Sequence, residues 1–308
     1  MRALVTGGAG FIGSNIVGLL LERGHEVVVL DNLSSGYPGN LAPFPAATLV
    51  EGDVRDRAAV DRAMAGAEVV LHLAASVGNT RSIEHPLLDS DINVLGTLTV
   101  LEAARHHGVR KLVFSSSAGI FGELKTLPIA EDHQVEPDTP YGASKLGAEK
   151  LCLAYAKLYP IECVCLRYFN VYGVNQRYDA YGNVIPIFAH RMLRDLPVTI
   201  HGDGEQTRDF VNVRDVAQAN YGAAMSRGVS GAFNIASGTR VTINALVALM
   251  AEAGGIAPRV EHGPPRPGDV RHSLADINQA RARIGFEPRV ELGAGLTEYM
   301  RWARTAAV

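Results

Sequence analysis

Residues 6–13 read TGGAGFIG, and this glycine-rich stretch decides the fold prediction. It follows a short apolar run and opens a segment, residues 11–23, whose apolar side chains recur with helical spacing. Gly7 permits a tight turn, Gly10 lets a pyrophosphate approach the backbone, and Gly13 lets the helix pack closely on a sheet. Because a helix N-terminus also offers free N–H groups, the stretch predicts a dinucleotide-binding turn. Glycines that serve only a sharp turn are the alternative.

The first half of the chain alternates β-branched runs with helical patterns. The expected strands are residues 2–6, 26–30, 47–51, 68–73, 110–115 and 161–168, and the expected helices are 11–23, 57–65, 83–107 and 141–158. After Asn170 this rhythm breaks into expected helices at 185–194, 215–225 and 243–253, a turn at 199–209 and an irregular loop over 257–269. Alternating strands and helices predict a parallel sheet covered on both faces. We therefore predict an α/β fold, a Rossmann-type doubly wound parallel sheet with a smaller C-terminal α/β lobe and a cleft between them.

The composition excludes several classes of protein. The 308 residues carry a net charge of −3, so no basic surface indicates nucleic-acid binding. No apolar run approaches the ~18 residues of a membrane span, and the N-terminus lacks the apolar stretch of a signal peptide. The three cysteines lack metal-ligand spacing and fit reduced, buried thiols. We therefore expect no metal site and a cytoplasmic protein without a membrane or nucleic-acid partner.

A carboxylate is expected beside the glycine-rich turn. Asp31 ends the second expected strand, where a carboxylate accepts hydrogen bonds from both hydroxyls of an adenosine ribose. The same charge repels a 2′-phosphate. No arginine follows at residues 32–36, so the sequence favours NAD over NADP.

A phenol and an ammonium lie four residues apart at Tyr141 and Lys145, which places them on one face of a helix. Thr139 and Pro140 suit the N-cap and first turn of that helix. The ammonium favours the phenolate, as an oxidised nicotinamide would, so we expect the pKa of Tyr141 to fall toward working pH. Ser117, at the end of an expected strand, opens into the ligand crevice of a parallel sheet. A surface Tyr–Lys pair and a serine-rich strand end are the alternatives for each feature taken alone.

Together these features resemble the extended short-chain dehydrogenase/reductase superfamily, and within it the UDP-hexose 4-epimerases, over essentially the whole chain. The resemblance implies a NAD-binding Rossmann domain at residues 1–173, completed by about residues 210–236. It implies a sugar-nucleotide-binding lobe at residues 174–209 and 237–308. The implied reaction is a redox-neutral 4-epimerisation, in which the tyrosine phenolate takes the proton of the sugar 4-hydroxyl and a hydride passes to NAD. A 4-keto sugar then turns, and the hydride returns to its opposite face.

The resemblance also assigns residues to roles. It implies that Ser117 and Tyr141 are the catalytic hydroxyls and that Lys145 orients the cofactor and tunes Tyr141. The cofactor contacts expected from the motifs and the resemblance are Gly7, Gly10, Phe11, Ile12, Gly13, Asp31, Asn32, Asp53, Val54, Ala74, Ala75, Tyr141 and Lys145. The implied contacts to the UDP-sugar are Ser117, Asn170, Arg208, Arg266, Asp269 and Ser273. Two arginines from separate loops suit a diphosphate with two negative charges.

Other functions stay open. The 4,6-dehydratases of the superfamily carry Asp-Glu just after the strand-end hydroxyl, where this chain has Ala118 and Gly119. The UDP-glucuronate 4-epimerases usually have threonine in place of Asn170, and a non-catalytic NAD(P)-binding protein typically lacks the Tyr/Lys pair. Ser273 stands where strict glucose epimerases have a bulky residue, which implies activity on UDP-GlcNAc and UDP-GalNAc as well as UDP-Glc and UDP-Gal. The resemblance also implies a homodimer, joined through the helices at residues 83–107 and 141–158.

Overall fold

The computed structural model describes residues 1–179, 182–265 and 270–306. Its strands are β1 (Arg2–Thr6), β2 (Glu26–Asp31), β3 (Thr48–Glu51), β4 (Val69–His72), β5 (Lys111–Ser117), β6 (Glu162–Tyr168), β7 (Asn170–Tyr172), β8 (Val198–His201), β9 (Thr207–Arg208), β10 (Phe210–Asn212), β11 (Gly231–Ile235), β12 (Val241–Thr242) and β13 (Val260–Gly263). Its helices are α1 (Phe11–Glu22), α2 (Arg57–Met64), α3 (Asn79–Glu84), α4 (Pro86–Ser90), α5 (Thr97–His106), α6 (Pro140–Leu158), α7 (Val184–Leu193), α8 (Val213–Met225), α9 (Ile243–Gly254), α10 (Asn278–Ile284) and α11 (Leu292–Thr305). A π-helical turn (Asp91–Gly96) joins α4 to α5.

Seven strands form one sheet in the order β3-β2-β1-β4-β5-β6-β11, and every neighbouring pair is parallel. The strand order reverses between β1 and β4, which is the switch point where a doubly wound sheet opens a ligand crevice. One face packs on α1 and α8 and the other on α2, α5 and α6, and each face has its own apolar core. Burial on both faces explains the unbroken apolar runs of the central strands. The predicted Rossmann-type α/β fold is confirmed.

The C-terminal part adds a smaller α/β lobe. Outside the large sheet, the described residues form three two-stranded sheets, which pair β10 with β7, β12 with β9 and β13 with β8. Helices α7, α9 and α11 surround a third apolar core that contains Phe188, Leu246 and Tyr299. Asn170 lies opposite Phe210 in the β7–β10 pair, so this small sheet begins directly where β6 leaves the large sheet.

The single helix predicted over residues 83–107 is wrong. The structure divides this segment among α3, α4, the π-helical turn and α5. Pro86 has no N–H to donate and begins α4, as the first helical position tolerates. Within the π-helical turn, Asn93 turns its side chain to the backbone of Ser76. π-helical turns often mark functional sites, so this irregularity points to the ligand crevice.

Two segments predicted as irregular contain short strands. β8 and β9 fall in the predicted turn at 199–209, and β13 falls in the described part of the predicted loop at 257–269. These strands have two to four residues, and their partners are distant in sequence, as Val198 opposite Val260 shows. Because the two strands of each pair are far apart in the sequence, no local pattern predicts them. For the same reason the prediction lacked β7, β10, β11 and β12. It also lacked the helices α10 and α11.

Within the ranges given above, no helix is long and apolar enough to cross a bilayer. Among the same residues, no group of three or more His, Cys, Asp or Glu side chains is placed to hold a metal ion. Cys152, Cys163 and Cys165 are free thiols, all buried.

Candidate active site

The glycine-rich turn lies between β1 and α1, against the segment that follows β4. Gly7 has a φ of +69°, and a Cβ there would lie 2.7 Å from the amide nitrogen of Ala74. A Cβ on Gly13 would lie 2.1 Å from the Gly7 carbonyl oxygen, so neither position accepts a side chain. Gly10 is the N-cap of α1, and a Cβ on it would meet only that same carbonyl, at 3.1 Å, within a 4 Å radius. The free N–H groups of the first turn, at Phe11 and Ile12, therefore adjoin open space.

The carboxylate of Asp31 is buried at the end of β2, directly behind the turn. Its Oδ2 accepts a hydrogen bond from the Ala9 N–H at 2.9 Å, and its Oδ1 accepts one from the Leu33 N–H at 2.9 Å. A Cβ on Gly36 would lie 2.8 Å from Oδ1, so the following loop also approaches the carboxylate closely. Backbone N–H groups thereby hold the Asp31 carboxylate at the carboxyl end of the second strand, the position that the sequence predicted.

Asn32 and Asp53 meet at the neighbouring strand ends. The Asn32 amide donates to Asp53 Oδ2 at 2.9 Å. Arg55 donates to both carboxylate oxygens of Asp53 at 2.8 Å, which holds the pKa of Asp53 well below its usual range. Val54, which lies between Asp53 and Arg55 in the sequence, is buried. The structure thus collects Asn32, Asp53 and Val54 on the side of the crevice that adjoins Asp31.

Ala74 and Ala75 follow β4, and a buried histidine fixes their position. The Thr6 hydroxyl donates to Nδ1 of His72 at 2.6 Å and accepts from the Ala74 N–H at 3.2 Å. Burial lowers the pKa of His72 to about 3, so its neutral ring donates through Nε2 to the Thr97 hydroxyl at 3.0 Å. The sequence analysis missed this group, although a histidine within an apolar strand is a signal that could have found it.

Ser117 and Tyr141 are brought together by the start of α6. The Thr139 hydroxyl caps this helix by accepting from the Gly142 N–H at 3.2 Å, and Pro140 is its first residue, as predicted. A Cβ on Gly142 would lie 2.4 Å from the Gly119 carbonyl, so a glycine is needed for the helix to approach the end of β5. The Ser117 side chain lies beside the phenol, since a Cβ on Gly119 would lie 3.3 Å from Ser117 Oγ and 3.7 Å from Tyr141 Cε1, and Ser117 acts to lower the pKa of Tyr141.

Lys145 lies one turn further along α6 and is buried. Its Nζ donates to the Ser115 carbonyl oxygen at 2.7 Å and lies 4.9 Å from the centre of the Phe114 ring. Burial lowers the pKa of Lys145 to about 8 and raises the pKa of Tyr141 to about 12. The prediction that the Tyr141 pKa falls is therefore wrong for the protein without its cofactor. Burial disfavours the phenolate by more than Ser117 favours it.

A hydrogen-bonded chain that the sequence did not reveal runs behind the Tyr–Lys pair. The Ser144 hydroxyl donates to Asp89 Oδ2 at 2.5 Å, and the Asn93 amide donates to the same hydroxyl at 3.0 Å. The Asn93 side chain also bonds both the N–H of Ser76, at 2.8 Å, and its carbonyl, at 3.0 Å. Because Ser76 directly follows Ala75, this chain connects the segment after β4 to α6.

A buried ion pair joins α6 to the two strands beneath it. Arg167 donates to both carboxylate oxygens of Glu149, at 2.7 and 3.0 Å, and both side chains are almost fully buried. The Ser116 hydroxyl donates to the same carboxylate at 2.7 Å. The pair therefore fixes the residue that precedes Ser117 against the helix that carries Tyr141.

Three of the expected substrate residues lie in or beside strand β9. The Asn170 amide donates to the Asp209 carbonyl at 3.0 Å, and the Ser273 N–H donates to the Thr207 carbonyl at 3.1 Å. Arg208 lies between these two backbone positions, in β9. Asn170, Arg208 and Ser273 are thus neighbours. Arg266 and Asp269 lie outside the described residues.

A glycine turn after the first strand, a carboxylate ending the second and a Ser-Tyr-Lys group at the fifth define a dinucleotide-binding protein of the Rossmann class. The chain belongs to the NAD dependent epimerase/dehydratase family, whose model matches residues 3–236.

Similar proteins carry related names. A putative UDP-glucose 4-epimerase from Methanocaldococcus jannaschii is 40% identical over 98% of this chain and 98% of its own length. The structure of the Thermotoga maritima UDP-glucose 4-epimerase with UDP-glucose is 39% identical, covers 99% of each chain and has a TM-score of 0.94. The Thermus thermophilus UDP-glucose 4-epimerase in complex with NAD is 41% identical, covers 100% of each chain and has a TM-score of 0.90.

Relatives with other activities also match. A dTDP-glucose 4,6-dehydratase from an Actinoplanes species is 33% identical over 99% of this chain and 98% of its own. A UDP-glucuronate 4-epimerase from Thermodesulfobacterium geofontis is 32% identical over 98% of this chain and 95% of its own. Family membership therefore fixes the cofactor class, while the substrate has to be argued from the site.

Proposed function

We propose that the chain interconverts UDP-hexoses at carbon 4 without net oxidation, with NAD held in the turn after β1. The contact between Tyr141 and Ser117, beside the buried Lys145 at the carboxyl end of β5, carries this proposal. A hydroxyl pair at that edge of the sheet faces the crevice in which a doubly wound fold binds its ligands. The similarity to UDP-glucose 4-epimerases over the whole chain supports the same reaction.

The described residues fit NAD. The tight turn leaves no room for a Cβ on Gly7 or Gly13, and Gly10 lets a diphosphate approach the backbone. We propose that the first-turn N–H groups of α1 bind the diphosphate beside Ala74 and Ala75. In this proposal Asp31 accepts from the adenosine ribose, and Asn32, Asp53 and Val54 line the adenine. When bound, NAD accepts and returns the hydride at carbon 4 of the sugar.

We assign the proton transfer to Tyr141. Its phenol must be deprotonated to accept the proton of the sugar 4-hydroxyl, and burial alone opposes that deprotonation. The Ser117 side chain favours the phenolate by lowering the pKa of Tyr141, and a positively charged nicotinamide beside the ring would favour it further. We propose that Ser117 holds the sugar 4-oxygen near Tyr141 and that Lys145 orients the cofactor.

The smaller lobe would hold the UDP group. We propose that Asn170 and Arg208 bind the diphosphate, together with Arg266, and that Asp269 binds the ribose. An arginine guanidinium offers two parallel N–H donors to a phosphate, which fixes both position and orientation. In this division, residues 1–173 with about 210–236 form the NAD-binding domain, and residues 174–209 with 237–308 form the sugar-nucleotide lobe.

We propose that the site accepts N-acetylated sugars. Ser273 is a small, buried side chain beside β9, and serine leaves room for an acetamido group. A Ser273→Tyr variant fills that room, so we expect it to lose conversion of UDP-GalNAc while keeping that of UDP-Gal. The measurement is the ratio of the two rates. Equal loss on both sugars would show that Ser273 does not set sugar size.

The residues after Ser117 argue against elimination of water. Ala118 and Gly119 occupy the two positions where the dehydratases carry an acid and a base, and neither side chain transfers protons. We therefore prefer epimerisation, although a dehydratase is among the relatives.

The test is an incubation with UDP-Gal, UDP-GalNAc and UDP-GlcA in turn, without added cofactor, followed by chromatography of the products. The proposal predicts conversion of UDP-Gal to UDP-Glc and release of NAD from the denatured protein. A net oxidoreductase would instead exchange its nicotinamide and need added cofactor. Conversion of UDP-GlcA alone would favour the uronate reaction, and no conversion despite bound NAD would contradict epimerisation.

We also propose a cytoplasmic homodimer. The three free thiols fit a reducing compartment. Large apolar side chains are exposed on the consecutive elements α3, α4 and the π-helical turn, and we call this set, Ile83, Leu87, Leu88 and Leu95, the leucine patch. Contiguous exposed apolar surface commonly marks an association site. A second copy of the chain would cover it.

A further inference from the structure

The proposed reaction leaves Asp89 without a role, although its carboxylate is buried beneath the surface helix α4. Asp89 is 1% exposed and lies on α4. Its Oδ2 accepts the Ser144 hydroxyl at 2.5 Å, while its Oδ1 is buried and accepts no hydrogen bond from the described residues. A buried carboxylate with a single hydrogen bond is costly unless a positive charge lies nearby.

That positive charge is on Lys145. Ser144 directly precedes Lys145 on α6, so the Asp89 carboxylate lies beside the turn that carries the ammonium. Lys145 is 2% exposed. Burial favours its neutral form, and the negative charge of Asp89 acts in the opposite direction by raising the pKa of Lys145. The negative charge of Asp89 therefore offsets part of the cost of burying the Lys145 ammonium. Among the described residues, the two side chains bond to different partners, Ser144 and the Ser115 carbonyl.

The other ionisable groups around this pair are engaged elsewhere, exposed or neutral. On the elements that pack against α4 and Lys145 they are Asp91 (paired with Arg55), Arg81 (paired with Asp179), Glu149 (its charge compensated by the buried Arg167), the solvent-exposed Glu84, His85 and Lys150, the buried thiol of Cys152, and the phenol of Tyr141. His72, which also faces Lys145, is neutral because burial lowers its pKa to about 3. Asp89 is thus the buried negative charge that acts on the Tyr–Lys pair.

We propose that Asp89 is a positioning residue for the epimerisation, whose charge keeps Lys145 protonated and whose bond to Ser144 holds the first turns of α6. This inference rests on the proposed function. The Ser144 hydroxyl also accepts from Asn93, which holds Ser76 after β4. Asp89 therefore ends a chain of hydrogen bonds that connects the NAD-binding segment to the helix of Tyr141.

The proposal predicts a specific pH effect. Without the Asp89 charge, the Lys145 ammonium loses its proton at lower pH. The Tyr141 phenolate is repelled less, so it also forms at lower pH. Both limbs of a bell-shaped pH–rate profile then move to lower pH, because one reports the acid and the other the base. A residue with only a structural role would lower the rate and leave both limbs in place.

The test uses the full-length, NAD-containing protein labelled with ¹³C at the lysine ε-carbons. The chain has few lysines, and the Lys145 signal is the one absent from a Lys145→Arg variant. We expect Asp89→Asn to lower the titration midpoint of Lys145 by about one pH unit or more. Asp215→Asn is the matched control, because Asp215 is also buried but binds the backbone of Arg289 and Val290. That variant should leave the midpoint unchanged.

Asp89→Leu provides the same test with an apolar side chain of similar size if the amide variant does not fold. An unmoved Lys145 midpoint in a folded variant would overturn the role of Asp89. The pH–rate profile on UDP-Gal is the second readout, with both limbs of Asp89→Asn expected at lower pH than in the parent. A parent that converts no UDP-Gal would instead overturn the proposed function, so the two failures are distinguishable.

Discussion

At the scale of single residues, the turn after β1 requires that residue 13 has no Cβ atom. A Cβ on Gly13 would lie 2.1 Å from the Gly7 carbonyl oxygen, so Gly13→Ala must displace the turn that we propose binds the diphosphate. We expect the Kd of this variant for NAD to rise at least about tenfold, which corresponds to about 1.4 kcal/mol of binding free energy, and its NAD content after purification to fall. The measurement is an enzymatic assay of NAD released per denatured chain.

Gly39→Ala is the control for that variant. A Cβ on Gly39 meets no atom within 4 Å, so its NAD content should equal that of the parent. Parent-like NAD content in Gly13→Ala would show that the turn does not bind the cofactor.

The residues that the sequence could identify are those with a local motif. Gly13, Ser117, Tyr141 and Lys145 each stand at a fixed spacing or a strand end, and the structure brings the last three together. Asp89 has no such signal, because its partner is distant in sequence. The direction of the Tyr141 pKa shift was also predicted wrongly for the chain alone, since residue spacing does not show how much water burial removes.

At the scale of secondary-structure elements, α6 is held to β5 and β6 by the buried pair of Glu149 and Arg167. Removing one partner of such a pair leaves an uncompensated buried charge. We expect Glu149→Gln to lower the free energy of unfolding by about 3–5 kcal/mol. The measurement is urea-induced unfolding.

Glu287→Gln tests the same chemistry at the surface. Glu287 pairs with Arg281 at 2.9 Å, but both side chains are exposed, so the expected loss is at most about 1 kcal/mol. Equal destabilisation by the two variants would contradict the structural role given to the buried pair.

Most elements of the large sheet could be predicted, because each is a complete local pattern. β1 begins and ends where the apolar run does, and α6 begins at its proline and threonine cap. The segment after Ser82 misled the prediction, since its apolar spacing continues across Pro86 and the π-helical turn. The small strands of the second lobe depend on pairing between distant segments, which no local window contains.

At the scale of the whole molecule, the leucine patch leads to a prediction about assembly. Leu87 is 86% exposed, which is unusual for a leucine among other exposed apolar residues. If a second copy covers it, Leu87→Asp places a charge in the interface, and we expect the dimer to dissociate to monomers in sedimentation velocity. Leu196→Asp, at an exposed leucine away from the patch, should leave the dimer intact. A monomeric parent, or a Leu87→Asp dimer, would contradict the proposed interface.

The fold explains how distant residues form one site. The parallel strands on either side of β1 all end at the same edge of the sheet, so Asp31, His72 and Ser117 lie along that edge. The start of α6 brings Tyr141 to that edge. At this edge, we propose, the Tyr141 hydroxyl oxygen transfers the proton of the sugar 4-hydroxyl.

The most direct test is the rate at which a Tyr141→Phe variant with bound NAD converts UDP-Gal to UDP-Glc. Loss of a positioned acid–base group costs about 10²–10⁴-fold, so we expect a decrease of at least about 100-fold. Tyr159→Phe, at the exposed C-terminal end of the same helix, should convert UDP-Gal at the parent rate. A Tyr141→Phe variant as fast as the parent would contradict the account.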